Sequence, residues 1–347
     1  MKENPLLTIF VLTHNSERFL RETLKSVLDQ DYPDFKVIVS DNASTDRTEE
    51  IVKSFRDPKL SFRKNTTSTD ANKDVMKCGD NYNGCIKSGL AKGEFIAFYH
   101  HDDIYEKDIA RKEVEFLLAH PEAGAVFTLG TLIDENDKMI GKFQLPKELR
   151  KKELYNFMDI FKVFLKSEEC PIVCPTFMAR KKIFKKIGLF RKDFGSAADV
   201  EWWLRILKNY PIGILEENLI KYRRSNTQGS QTYQYLRIKR AHFFLVMDYY
   251  LTSLKGQIEN KLLRQYEYNK NYDDVIRARN LLMKNKIKEA KNLLNKSFSL
   301  NIWRAFFEDM SAKKIKGMVF RIILLVGANI GLGKYLGWLL YKRILSK

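Results

Sequence analysis

The chain has 347 residues, of which 44% are hydrophobic and 12% aromatic, and this composition will support a real buried core. The length exceeds one typical domain, so it predicts one large domain with an appendage. Four cysteines are few for this length, and although Cys170 and Cys174 could form half of a zinc site, no second Cys or His pair has suitable spacing. No signal peptide opens the chain, so we expect reduced thiols in a cytoplasmic protein.

The positive charge is concentrated in the last third of the chain. The formal net charge is +18, and residues 230–347 hold 23 Lys or Arg against 8 Asp or Glu. A nearly neutral first part joined to a basic last part predicts two regions that have different partners. We place these regions at residues 1–228 and 229–347. Charge alone does not choose between nucleic acid, anionic lipid and an acidic substrate.

The first part of the chain alternates between predicted strands and helices. Apolar, β-branched runs predict strands at residues 6–13 and 35–41, and helical spacing predicts one helix after an N-cap at Ser16 and another at residues 47–55. A third strand is predicted at residues 60–63. This alternation indicates parallel βαβ units.

The same alternation continues after a polar stretch at residues 66–77, which we interpret as a loop that closes over a ligand. Further strands are predicted at residues 94–99, 125–129, 139–143, 177–180, 212–215 and 219–223. Further helices are predicted at residues 81–90, 107–119, 152–165 and 181–187, and from Asp199 onward. From Tyr235 the pattern is helical almost throughout, with a helix pair at residues 275–300.

Acidic residues stand where a doubly wound sheet presents side chains to its ligand. Asp41 ends the second strand, Asp102 and Asp103 follow the strand at residues 94–99, and Asp199 begins a helix. Adjacent carboxylates repel each other unless a cation lies beside them, and a hard divalent metal that holds a phosphate is the usual solution. Neither a dinucleotide-binding glycine motif nor a P-loop occurs, so carboxylate-bound metal is the remaining way to neutralise a diphosphate.

Four segments give the chain a specific resemblance across residues 6 to about 228. They are TIFVLTHN at 8–15, VSDNASTD at 39–46, KGEFIAF at 92–98 followed by HHDD at 100–103, and ADVEWWLR at 198–205. In this order the segments resemble a family 2 glycosyltransferase of the GT-A fold. The resemblance implies an α/β fold with a mixed, mainly parallel sheet flanked by helices, here with a C-terminal helical extension.

The resemblance also implies a donor pocket. Thr13, Asn15 and Glu17 would line the nucleotide site, and Asp41 would accept a hydrogen bond from the base. The alternative for Asp41, and for the neighbouring Asp46, is a purely structural role in a turn and a helix cap.

The catalytic residues are implied in the same way. Asp102 and Asp103 match the metal motif, with Asp103 binding Mn²⁺ or Mg²⁺. Asp199 matches the catalytic base, which takes the proton of an acceptor hydroxyl as that oxygen attacks C1 and inverts the anomeric centre. The alternatives are a solvated loop pair for Asp102 and Asp103 and an N-cap for Asp199.

The chain departs from the family pattern at two places. Ala198 stands where an acidic residue often precedes the catalytic aspartate, and residues 222–226 lack the histidine that often reaches the metal. We expect Arg223 or Arg224 to neutralise the diphosphate instead, and we assign Arg224 to the donor site.

Four neighbouring ring side chains are expected to have structural rather than chemical roles. Trp202 and Trp203 are more typical of a core than of a sugar platform. His100 and His101 are expected to pack or to support the metal ligands from behind rather than to bind the metal themselves.

The basic tail predicts a membrane partner. Residues 322–333 carry no charge over twelve residues, whereas a span needs about 20. Trp338 and Tyr335 with basic neighbours favour a helix that lies in the plane of the membrane interface. A spanning helix that tolerates Lys334 and a helix folded back on the domain both remain open.

The resulting interpretation is an inverting glycosyltransferase that uses a nucleotide-diphosphate sugar, preferably a UDP-sugar, in cell-surface polysaccharide synthesis. Its acceptor would be a saccharide or a lipid-linked saccharide, presented at the inner face of the cell membrane, where the anionic surface holds the protein peripherally. The alternatives are a sugar nucleotidyltransferase and a basic protein that binds nucleic acid or a membrane surface. We expect no nucleic-acid partner, because the lysines lie among apolar residues without a recognised motif.

Overall fold

A computed structural model describes residues 4–65, 78–167, 170–225, 236–308 and 310–345. The chain forms two compact units, one of residues 1–163 with 170–225 and one of residues 164–169 with 226–347. The predicted loop at 66–77 and the predicted boundary between 228 and 229 lie outside the described residues.

The first unit is built on a ten-stranded sheet. Its strands are β1 (Leu7–Thr13), β2 (Phe35–Asp41), β3 (Leu60–Lys64), β4 (Phe95–His100), β5 (Ile104–Tyr105), β6 (Ala125–Ile133), β7 (Met139–Lys142), β8 (Leu154–Tyr155), β9 (Phe177–Arg180) and β10 (Ile212–Arg223). The order is β3-β2-β1-β4-β9-β6-β10-β5, with β7 beside β6 and β8 beside β10. β9 runs antiparallel to both β4 and β6, whereas β3, β2, β1 and β4 are mutually parallel, as are β6 and β10. The predicted mixed, mainly parallel sheet is confirmed.

Helices complete both units. They are α1 (Leu20–Leu28), α2 (Thr48–Ser54), α3 (Cys78–Lys87), α4 (Ile109–Ala119), α5 (Phe157–Lys166), α6 (Ile183–Ile187), α7 (Ala198–Leu207), α8 (His242–Ser253), α9 (Asn260–Met283), α10 (Ile287–Lys296), α11 (Leu300–Glu308), α12 (Ala312–Asn329) and α13 (Gly333–Leu345). The helix pair predicted at 275–300 corresponds to the end of α9 and to α10, which ends at Lys296, four residues before the predicted end. In the part of the chain that the structure describes, no helix is both long and apolar enough to cross a membrane.

The core explains why the central strands are apolar along their whole length. Every residue of β1 is buried, and β2 and β4 are buried nearly throughout, because helices cover both faces of a parallel sheet. The helix α1 contributes Leu20, Leu24 and Val27 to this core. This packing aligns the carboxyl ends of β1, β2 and β4 at one edge of the sheet.

The first helix begins later than predicted. Its first residue is Leu20, and the Ser16 hydroxyl accepts a hydrogen bond of 3.0 Å from the backbone N–H of His14 instead of capping the helix. The residues between β1 and α1 therefore form a loop at the edge of the sheet.

Two other elements also differ from their predicted bounds. The helix predicted at 152–165 begins at Phe157, because residues 154 and 155 pair with β10 as a short strand. The strands predicted at 212–215 and 219–223 are a single strand, β10, whose register with β6 shifts on either side of Asn218. A register shift of this kind lets one strand turn its last residues toward a different neighbour.

Candidate active site

The ends of β1 and β2 are joined by a buried hydrogen bond. Thr13 and Asp41 are register partners in the sheet, and the Thr13 hydroxyl donates to Oδ1 of Asp41 over 2.9 Å. Asp41 also accepts bonds from the hydroxyl of Ser44 and, at Oδ2 over 3.0 Å, from its backbone N–H. Asp41 therefore holds the turn that follows β2, in which Ala43 has a left-handed φ of 62°. Asp41 therefore has the structural role in a turn that was the alternative from the sequence. Its hydrogen bond to the nucleobase of a donor stays a prediction.

Asn15 and Glu17 tie the loop after β1 to the loop after β2. Asn15 has a left-handed φ of 48°, which Asn tolerates, and its Oδ1 accepts the backbone N–H of Thr45 over 2.9 Å. Glu17 pairs with Arg47 over 3.1 Å at an exposed position. The structure thus brings Thr13, Asn15, Glu17 and Asp41 together at the same edge of the sheet.

Asp103 is the most unusual carboxylate of this edge. Its side chain is 1% exposed, and Oδ1 accepts a hydrogen bond of 2.9 Å from the backbone N–H of Arg223. Oδ2 is buried without a hydrogen-bond partner. Burial raises the pKa of Asp103 well above its ordinary value, and the charge of Asp102 raises it further. An orphaned buried carboxylate oxygen is costly, and a bound cation would satisfy it.

His100 lies with the two aspartates in one potential metal site. His100, Asp102 and Asp103 each offer one ligand atom, and these atoms lie within 4.8 Å of one another. Burial lowers the pKa of His100 to about 4, so its imidazole is neutral at pH 7 and offers a lone pair. Two carboxylates and an imidazole form a donor set that suits Mn²⁺, and the two carboxylates by themselves also suit Mg²⁺. Sequence reasoning gave His100 only a supporting role; its position at the last residue of β4 was the signal.

Asp199 lies in the first turn of α7. It is not the N-cap, which is Ala197, and its Oδ1 accepts the backbone N–H of Val200 over 2.8 Å. Burial raises the pKa of Asp199 to about 6, against the opposing effects of hydrogen bonds from backbone N–H groups and from the Cys174 thiol. As a whole residue Asp199 is half-buried.

Cys174 connects Asp199 with the end of β4. Its thiol hydrogen-bonds to Asp199, and its Sγ lies 4.0 Å from Nε2 of His100 and 3.7 Å from the hydroxyl of Tyr82. Tyr82 in turn lies 3.0 Å from Nε2 of His100. From the sequence Cys174 was expected to be only a reduced thiol, and no sequence signal could have shown these contacts, because Asp199, His100 and Tyr82 lie 25, 74 and 92 residues away.

The two candidate arginines have opposite surroundings. Arg223 is 1% exposed, and its guanidinium donates to Glu22 over 2.7 Å and to the carbonyl of Asp102 over 3.0 Å. It also lies over the ring of Phe19 at 4.4 Å. Arg224 is exposed. Of the two, only the guanidinium of Arg224 is exposed to a ligand. Arg223 instead holds neighbouring segments together through its buried hydrogen bonds and ion pair.

The tryptophans of the last motif belong to the core, as predicted. Trp202 and Trp203 are 1% and 4% exposed. The indole N–H of Trp202 donates to the carbonyl of Gly188 over 3.0 Å, and its ring stacks on Phe190. Neither ring is presented to a sugar.

Comparison with known proteins identifies the class. The family model of glycosyl transferase family 2 matches residues 8–188. An uncharacterised glycosyltransferase of Methanocaldococcus jannaschii is 31% identical over 264 residues, which is 75% of this chain and 81% of that protein. The putative teichuronic acid biosynthesis glycosyltransferase TuaG of Bacillus subtilis is 24% identical over 268 residues, 74% of this chain and 98% of TuaG.

Solved structures share the fold. TarS residues 1–349 from S. aureus superimposes with a TM-score of 0.55 at 18% identity, covering 94% of this chain and 91% of that one. The mannosyltransferase PcManGT of Pyrobaculum calidifontis, in complex with GDP-Man and Mn²⁺, gives 0.52 at 17% identity, covering 95% and 88%.

The chain therefore belongs to glycosyltransferase family 2 and has the GT-A fold with a helical C-terminal region. It is a glycosyltransferase, and the resemblance drawn from the four motifs is confirmed.

Proposed function

We propose that the protein transfers a sugar, with inversion, from a nucleotide-diphosphate sugar to a hydroxyl of a saccharide acceptor. The observation that carries the proposal is the link between Asp199 and the cluster at the end of β4. The Cys174 thiol, whose hydrogen bond counteracts the raised pKa of Asp199, lies 4.0 Å from Nε2 of His100, and His100 shares its site with two aspartates. A base beside a diphosphate site is what glycosyl transfer requires.

The donor site would be formed by Thr13, Asn15, Glu17 and Asp41 at the ends of β1 and β2, with Asp102 beside them. A UDP-sugar is the preferred donor, since a crystal structure of TarS contains UDP, although PcManGT was solved with GDP-Man. Asp41 is buried, and its carboxylate oxygens, which accept hydrogen bonds from Thr13 and Ser44, are acceptors that a nucleobase N–H could also use.

Asp103 and Asp102, with His100, would hold Mn²⁺ or Mg²⁺. When bound, the ion supplies positive charge for the diphosphate leaving group. Arg224, exposed directly after β10, would add a second positive charge by hydrogen-bonding to phosphate oxygens.

Asp199 would act as the general base. With a pKa of about 6 it is ionised at neutral pH and still basic enough to accept a proton. As the acceptor oxygen forms its bond to C1 of the sugar, the hydroxyl proton passes to Asp199. The bond from C1 to the diphosphate oxygen breaks on the opposite face, and the nucleoside diphosphate leaves with the electron pair. One displacement of this kind inverts the anomeric centre.

The acceptor would be a saccharide or lipid-linked saccharide of a cell-surface polysaccharide. The relationship to TuaG, described as a putative teichuronic acid biosynthesis enzyme, supports this class of acceptor. The basic last third of the chain supports a place at the anionic inner face of the cell membrane, with the protein cytoplasmic and peripheral.

The proposal is tested by thermal-shift measurements with UDP, GDP and their sugars, with and without Mn²⁺. UDP or a UDP-sugar should raise the melting temperature, and more strongly with the metal. If no nucleotide stabilises the protein, the proposal fails. Release of pyrophosphate from UTP and a sugar 1-phosphate would instead support a nucleotidyltransferase, against which the family assignment already argues.

A further inference from the structure

One face of α12 is apolar and exposed. The side chains of this stripe recur at three- and four-residue intervals: Ile315, Val319, Ile322, Ile323, Val326 and, after the helix, Ile330. Their exposed fractions lie between 38% and 63%. Isolated apolar residues on a surface need no explanation, but a continuous stripe over four turns of one helix does.

The helix α13 carries a second exposed stripe, which includes aromatic residues. Tyr335, Trp338 and Leu339 are exposed by 65%, 44% and 51%, again at helical spacing. Lys334 and Lys342 are exposed on the same helix. Trp and Tyr with neighbouring lysines are the composition of a helix at the level of lipid headgroups.

The opposite faces of the two helices are packed, so the exposed faces are fixed. A Cβ at Gly333 would meet Leu282 at 2.8 Å, and one at Gly337 would meet Met283 at 3.0 Å. A Cβ at Gly327 would overlap Leu336, so α12 and α13 approach each other closely there. These glycines therefore mark the packed faces, at which α9 side chains and Leu336 lie close to the glycine backbone, and the apolar stripes are on the exposed faces.

Charge identifies what covers these stripes. Residues 310–347 contain eight Lys or Arg and neither Asp nor Glu. Lys314 and Arg321 are buried, whereas Lys316, Lys334 and Lys342 are exposed beside the apolar side chains. A second copy of the chain would bring like charges together, whereas an anionic lipid surface is complementary. In the described part of the chain no helix is suited to span a bilayer, so the hairpin would meet the membrane from one side.

We propose that α12 and α13 insert their apolar stripes into the headgroup and acyl boundary of an anionic bilayer, with both helices parallel to the membrane plane. The inference deepens the proposed membrane location, on which it rests, by naming the surface and its mode of contact. It implies that binding depends on apolar insertion as well as on charge, and that it does not involve the candidate active site.

The test is co-flotation of the full-length protein with vesicles of equal parts phosphatidylcholine and phosphatidylglycerol. We expect binding that persists at high salt, weaker binding to phosphatidylcholine alone, and a blue shift in fluorescence from Trp338. The double variant Ile322→Glu, Val326→Glu should lower the partition coefficient at least about tenfold, because two charges would enter the apolar boundary. The control is Ile140→Glu, which changes an equally exposed isoleucine on β7 and should bind as the wild type does.

The increase in melting temperature with UDP and Mn²⁺ is measured on the same samples. It tests the proposed transfer reaction separately from membrane binding. A double variant that still responds to UDP is folded, so its loss of vesicle binding supports the lipid-facing surface. Unchanged vesicle binding by the double variant, or binding by the wild type that salt alone abolishes, would overturn it. The inference would also be overturned if light scattering without lipid showed a dimer of the wild type and a monomer of the double variant. The apolar stripes would then face a second copy of the chain.

Discussion

The backbone N–H of Arg223 donates a hydrogen bond of 2.9 Å to Oδ1 of Asp103, across 120 residues of sequence. This bond fixes the carboxylate and leaves its other oxygen buried without a partner. Since the donor is a backbone group, most side chains at position 223 would retain it. Asp103 is thereby oriented before any ligand arrives, which is the preorganisation that a metal ligand needs.

Asp103→Asn should abolish the increase in UDP affinity that Mn²⁺ produces. The amide retains an oxygen for the Arg223 N–H but loses the negative charge that a hard cation requires. Calorimetric titration with UDP, with and without Mn²⁺, measures this difference. Asp29→Asn, which removes an exposed carboxylate, is the control and should titrate as the wild type does. Equal Mn²⁺ dependence in Asp103→Asn and the wild type would remove Asp103 from the metal site.

Asp199→Asn should leave UDP binding unchanged and reduce kcat by about 10²- to 10⁴-fold, the usual contribution of a general base. The substitution preserves shape, and the amide cannot accept the hydroxyl proton. Donor affinity and turnover measured on one preparation give both quantities. Asp193→Asn changes an exposed aspartate shortly before the same helix and should keep full activity. Comparable turnover in Asp199→Asn would mean that another group is the base.

Activity should fall as the pH drops through about 6, because Asp199 acts in its ionised form and its pKa is raised to about 6. The Cys174 hydrogen bond stabilises that ionised form and so lowers the pKa. Cys174→Ala should therefore move the acidic limb of the pH profile of kcat to higher pH. Cys174→Ser retains a donor and should restore much of the wild-type midpoint. Identical profiles for all three proteins would contradict the role of Cys174.

Arg223, the last residue of β10, and Arg224, which follows it, should differ in their effects on stability and on ligand binding. Arg223→Ala should lower the free energy of unfolding by about 2 to 3 kcal/mol, since the backbone carbonyls of Asp102 and Asp134 and the carboxylate of Glu22 lose a buried donor. Arg224→Ala should leave stability unchanged and weaken UDP binding. Urea unfolding and nucleotide titration of both variants check this. A stable Arg223→Ala protein, or normal UDP affinity in Arg224→Ala, would reverse the assignment.

The alternation of apolar strands and amphipathic helices was enough to predict a mainly parallel sheet, because the repeat of each element is written in neighbouring residues. The same rule put Asp41 and Asp103 at one edge of that sheet, since parallel strands end together. The first residue of a helix could not be predicted in the same way. Ser16 has a hydroxyl that could cap a helix, but this hydroxyl accepts a hydrogen bond from the backbone N–H of His14. Which partner the hydroxyl takes depends on the conformation of the loop.

For this protein, the sequence by itself determined the family, the sheet and the carboxylates at its edge, all of which rest on local patterns. Only the tertiary structure decided that His100 joins Asp102 and Asp103, that Cys174 connects His100 with Asp199, and that Arg223 is buried while Arg224 is exposed. These relationships join residues far apart in the chain. Burial and hydrogen-bond partners, which set their pKa values and their reach, exist only after the chain has folded.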